Sequence, residues 1–232
     1  MEVYVGEQTN GGKPLLVQQS ILQSLSDYFT KALRPEAFSE GRAGQLQFPE
    51  DGIDTWELLL SWAVKRSMPS WPFADSLSDV CRETLLTRSW VLGDKYQILQ
   101  FQDEVMVELL SFYAESSGHQ AEIKHAVSIT APGSKLRRLM AEELVHLIYD
   151  YDGMKMEKLD DFDGLGFFAE FNATRDRLQN SQQSSDSLYR FGRTADAFDV
   201  HGPAGSWRKY LVGDCLPRRQ WRWDATEDIW RF

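Results

Sequence analysis

The sequence predicts an α+β fold, and three observations predict it. Short alternating apolar segments are confined to the first fifty residues. From there on, apolar residues recur at helical spacing. Hydrophobic residues make up 42% and charged residues 26% of 232 positions, a composition that suits a packed core.

The elements follow in order. Val3 and Val5 alternate with polar neighbours, and Leu15-Leu16-Val17 follows Asn10-Gly11-Gly12, so two strands joined by a turn are expected. Ser20 with Gln23 three residues on reads as a capping box, opening one helix through Leu22, Leu25, Phe29 and Leu33, with Pro35 beyond it. Leu46-Gln47-Phe48 is a brief strand closed by Pro49. Asp54 and Glu57 form a second capping pair, ahead of a helix through Trp56, Leu59, Leu60 and Ala63. Ser67 to Asp79 reads as a loop.

Leu86, Trp90 and Tyr96 mark the next helix, and Phe101, Val105, Leu109 and Phe112 another. Ile123 and Val127 suggest a short helix. Pro132-Gly133-Ser134 opens a longer one through Leu136 to Ile148, and Leu165, Phe168 and Phe171 line one more. The expected core includes Leu16, Leu22, Leu25, Phe29, Leu59, Leu60, Trp90, Tyr96, Val105 and Leu109.

Charge divides the chain. Residues 1–115 hold nine basic and seventeen acidic side chains, whereas 181–232 hold eight and seven, with four of the eight tryptophans. The polar run 180–187 reads as a flexible linker and 188–232 as an aromatic, mildly basic tail. With 25 Lys and Arg against 35 Asp and Glu, nucleic acid is a disfavoured partner. No run of 18 apolar residues would span a bilayer, and two cysteines, Cys81 and Cys215, make no disulfide framework. A protein of the cytoplasm and/or nucleus is expected, with both thiols unpaired.

No motif for catalysis stands out. His119, His125, His146 and His201 lie outside any nucleophile elbow, His-Glu-x-x-His helix or phosphate-binding glycine loop, so no enzyme and no cofactor are expected. Asp161, Asp163, Gly164 and Glu170 fit positions 3, 5, 6 and 12 of a calcium loop, but position 1 would be Leu159. An acidic turn before a helix is the expectation there, with no metal. In the tail, Trp207-Arg208-Lys209-Tyr210 and Arg218-Arg219-Gln220-Trp221-Arg222-Trp223 interleave bases with rings. Such runs would suit single-stranded nucleic acid, but the acidic total favours docking onto the body or a partner, with Trp221 and Trp223 as anchors.

Six segments, in order, resemble a BTB/POZ domain and especially its fungal versions. They are 13–22 (KPLLVQQSIL), 26–29 (SDYF), 37–41 (AFSEG), 46–51 (LQFPED), the helix from Trp56 to Trp62, and 90–98 (WVLGDKYQI). The likeness covers residues 1–115, where the family's small three-stranded sheet and cluster of about five helices would be expected. Gln18 stands where the family often has His. Residues 119–178 look like the helical extension that follows many such domains, on the strength of Ala131 to Leu139.

The resemblance implies a non-enzymatic protein–protein interaction module. Phe38-Ser39-Glu40 matches the hydrophobic-x-Glu pattern with which BTB adaptors help to grip a cullin scaffold, so Phe38 and Glu40 are candidate partner residues. A substrate adaptor or scaffold of a cullin-type ubiquitin ligase, holding a substrate protein, is the first functional expectation. An oligomerisation module in a transcriptional or signalling assembly is the alternative, and homodimerisation stays open.

Overall fold

A computed structural model describes residues 1–7, 12–34, 42–69, 79–149, 156–181, 194, 205–213, 222–224 and 229–231. The protein is mostly helical with a small three-stranded sheet, an α+β arrangement. In that sheet β1 (Glu2–Val5) is central. It pairs antiparallel with β2 (Leu15–Leu16) and parallel with β3 (Gln45–Phe48). The two-residue period puts Val3, Val5, Leu46 and Phe48 on the core face. Glu2, Tyr4, Gln45 and Gln47 take the outer one.

That register corrects one core expectation. Leu16 stands opposite Glu2, on the outer face, and is 80% exposed, while Leu15 opposes Val3 and packs inward. Leu25 and Leu60 are partly buried at the core's margin, and the other expected core residues are buried.

The predicted first helix is two helices, α1 (Gln19–Leu25) and α2 (Asp27–Ala32), broken at Ser26, whose backbone is extended at φ −164° and ψ 166°. The Thr30 hydroxyl donates to the Gln23 and Ser26 carbonyls and ties the two across the break. Ser20 is not the cap. The Val17 N–H donates to the Met1 carbonyl, so the chain turns early, and the Gln18 carbonyl accepts from Ile21.

In α3 (Ile53–Lys65) the cap position is Gly52, two residues ahead of the expected Asp54. Asp54 accepts from the N–H of its neighbour Thr55, and the Thr55 hydroxyl donates to the Gly52 carbonyl, so the Asp54–Glu57 box does not form. The turn is fixed earlier by Asp51, which accepts from Trp56 Nε1 at 2.9 Å, Lys95 Nζ at 2.8 Å and the Tyr96 hydroxyl. Burial and the Asp51 carboxylate raise the Tyr96 phenol well above its ordinary range. Above this hub, Phe48 stacks on Trp56 at 4.6 Å, with Phe29 and Tyr96 edge-on or tilted around them.

An antiparallel pair, α4 (Asp79–Lys95) and α5 (Leu99–Glu115), forms the centre of the body. Gly93 sits where a Cβ would lie 2.5 Å from Gln102 Cγ, so its missing side chain lets the pair close. Behind them come α6 (Gln120–Ile129), α7 (Lys135–Tyr149), a 3₁₀ segment (Met156–Phe162) and α8 (Phe168–Ser181). Ser134 caps α7, its Oγ accepting the Arg137 N–H. Asn180 and Ser181, expected in the linker, close α8. In the tail, Ser206–Tyr210 is a 3₁₀ turn, and β4 (Arg222–Asp224) pairs antiparallel with β5 (Ile229–Arg231).

Candidate functional site

The buried guanidinium of Arg137 joins three parts of the extension. It donates to Glu170 at 2.6 Å, to the Val127 carbonyl at 3.0 Å and to the Leu165 carbonyl, and lies over the Phe167 ring. Its donors are fixed in a fork, which suits a carboxylate on one side and carbonyls on the other. Glu170 also accepts the Gly133 N–H. The twelfth residue of the calcium-loop template is thus committed to Arg137. Asp161 accepts from Gln120, and Asp163 accepts the Gly164 N–H. Among the described residues no cluster of three or more His, Cys, Asp or Glu is placed to hold a metal ion.

The body grips its own tail. Trp207, Tyr210 and Leu211 are buried, so three apolar side chains of the segment 205–213 sit in the surface formed by α5 and α7. Two buried carboxylates flank them. Glu142 of α7 accepts from Arg177 Nη2 at 2.7 Å, from Lys209 Nζ at 3.2 Å and from the Thr194 N–H at 2.9 Å. Asp103 of α5 accepts the N–H groups of Val212 and Gly213. Lys135 closes the clasp by donating to the Lys209 carbonyl at 2.6 Å. Burial opposes the charge of Glu142, but Lys209, Tyr210, Thr194 and Arg177 together hold its carboxyl below the ordinary range. Burial beside Glu142 raises the Tyr210 phenol.

Chemically, this arrangement holds a segment of the chain's own backbone: one carboxylate pairs with an ammonium group, the other accepts consecutive backbone donors, and Trp207 is buried alongside. The docking of Trp207 and Tyr210 accords with the expectation that basic-aromatic tail residues turn toward the acidic body. Spacing could not find Glu142 and Asp103, because their partners lie 35 to 110 residues away. Their only sequence signal was acidic residues on otherwise apolar helix faces.

Another buried carboxylate, Glu83 of α4, accepts from the Tyr113 hydroxyl at 2.7 Å and lies 2.8 Å from His119 Nδ1. Burial raises its carboxyl above the usual range, against the opposing pull of His119 and Tyr113. His125 lines a cleft of about 400 Å³ between α3, α4 and α6, with Glu50, Asp51, Arg88 and Lys95. His146 is buried on α7, and His201 lies outside the described residues.

Of the four candidate partner residues, Phe38, Glu40 and Trp221 lie outside the described residues. Trp223 falls in β4, in register with Trp230. Cys81 is in the first turns of α4, and Cys215 is outside the described residues. No protein-family model matches the chain, no curated protein matches it, and no solved structure matches it.

Proposed function

We propose that this chain is a non-enzymatic protein–protein interaction module of the BTB/POZ type, acting as a substrate adaptor or scaffold of a cullin-type ubiquitin ligase in the cytoplasm and/or nucleus. The observation that carries the interaction reading is the clasp on 205–213. There the body holds a segment of its own chain through backbone donors, a lysine and a buried tryptophan, and this supports the reading. The BTB reading is supported by the element order. Five of the six segments that carry the resemblance fall on β2–α1, α2, β3, α3 and the end of α4, and the sixth, 37–41, lies outside the described residues; the sheet they enter is three-stranded. Among the described residues no helix is long and apolar enough to cross a membrane.

Affinity purification of the full chain, beside a Phe38→Ala/Glu40→Ala double variant, tests the adaptor role. Cullin recovered with the parent chain and lost with the variant is the expected result. Its absence from both removes the adaptor role and leaves the oligomerisation module ahead. That second reading has its own observation: Leu16 is 80% exposed on a strand whose outer side carries no partner strand among the described residues. Light scattering across a concentration series of the parent and Leu16→Lys tests it, a dimer lost in the variant being the expected sign.

A further inference from the structure

A cleft of about 430 Å³ opens between α7, α8 and the docked tail, and its lining runs against the charge of the rest of the chain. The whole molecule has 25 basic and 35 acidic residues. Here Lys135, Arg138, Arg177 and Lys209 face one acidic residue, Glu170, with Tyr210 beside them. Glu170 adds little negative charge, since Arg137 is bound to it at 2.6 Å. Below the cleft, Glu142 answers Arg177 and Lys209 through the same oxygen, at 2.7 and 3.2 Å. One carboxylate therefore serves two cations, and the Lys135 ammonium donates to a neutral carbonyl. The Arg138 guanidinium has no hydrogen-bond or ion-pair partner among the described residues, although it lies one turn from Lys135 on the same helix face.

We propose that this cleft binds a small phosphorylated anion. The surplus positive charge comes from three separate elements, so a ligand with several acceptor oxygens and about two negative charges would satisfy it better than a single carboxylate. Arginine supplies five donors and lysine three, so cations already paired with Glu142 keep donors for a second acceptor. The volume suits a small ligand, at the lower end of the ~300–1,000 Å³ of typical sites. Because Lys209 and Tyr210 belong to the tail, the ligand would also fasten the tail to α7 and α8.

Calorimetric titration of the full chain with pyrophosphate, inorganic phosphate and a phosphoserine peptide tests this at low ionic strength, where charge contacts are least screened. Arg138→Glu is the informative variant, because this side chain is exposed and its loss leaves no buried charge unpaired. Lys31→Glu, an equal charge change on α2, is the control. The expected result is saturable pyrophosphate binding, weakened at least ~10-fold in Arg138→Glu and unchanged in Lys31→Glu, with both variants melting like the parent. No saturable binding of any probe, or equal weakening in both variants, overturns the proposal. Binding of the phosphoserine peptide alone also overturns it, by assigning the cleft to a phosphoprotein.

Discussion

The front of the molecule and its tail are each organised by a large ring beside a buried carboxylate, with different consequences. At the front, Asp51 bonds Trp56, Lys95 and Tyr96, and the rings of Phe29, Phe48, Trp56 and Tyr96 pack on one another. Polar contacts only orient a cluster that apolar burial already stabilises. In the tail, Trp207 and Tyr210 reach the body through a short segment, and polar contacts to Glu142 and Asp103 set its position. The lesson is that similar chemistry is anchored by several packed helices in one case and carried by one short segment in the other, although both sets of rings are buried.

The largest effect should come from Trp56→Ala. Removing a fully buried indole from the ring cluster should lower global stability by about 3–5 kcal/mol in denaturant unfolding. Trp207→Ala sharpens the contrast, because the tail should detach before the body unfolds. The expected sign is faster proteolysis and hydrogen exchange in 205–213 with a small shift in the main melting transition. If Trp207→Ala instead lowers the melting transition as much as Trp56→Ala, the tail belongs to the core and the distinction fails.

Glu142→Gln should follow, at about 1–3 kcal/mol for tail docking. Arg177 and Lys209 are half-exposed and regain water, which keeps the loss below that of a fully buried pair. Its readout is exchange at the Val212 and Gly213 amides.

The pH dependence separates two carboxylates of opposite sign. Glu142 is held below the ordinary range, so its contribution is full at neutral pH. It is lost as pH falls below about 4.3, the unfolded glutamate value, toward its folded one. Glu83 is raised, so the folded state binds its proton first on acidification. Its contribution therefore declines as pH rises from about 4.3 through the folded value. Unfolding curves from pH 4 to 7 should show Glu83→Gln gaining on the parent as pH rises; a gain that shrinks instead would reverse the assignment. Smallest of all, Leu16→Lys should change monomer stability by no more than about 0.5 kcal/mol.

Apolar periodicity made most of the elements legible. Phe101, Val105, Leu109 and Phe112 lie on α5, and Leu136 to Ile148 lie on α7, because a repeating face needs no knowledge of its partner. Local polar rules did less well. Ser20–Gln23 and Asp54–Glu57 had the spacing of capping boxes, yet a strand contact from Met1 and the Asp51 hub set where those helices begin. The apolar run Leu15-Leu16-Val17 put Leu16 in the expected core, but only its register against Glu2 could show which face it takes. The clasp was legible only as a tendency, since tail rings and bases suggested docking without revealing Glu142 or Asp103.

The sheet also constrains how this protein is made. Its middle strand comes first, and its parallel neighbour lies 43 residues later, beyond α1 and α2. A growing chain therefore exposes both edges of β1 until β2 closes one and β3 the other, a long-range pairing that local helices cannot hasten. Lengthening the stretch between α2 and β3 should slow refolding more than it lowers final stability, since closing a longer loop delays the last strand while the finished contacts stay the same.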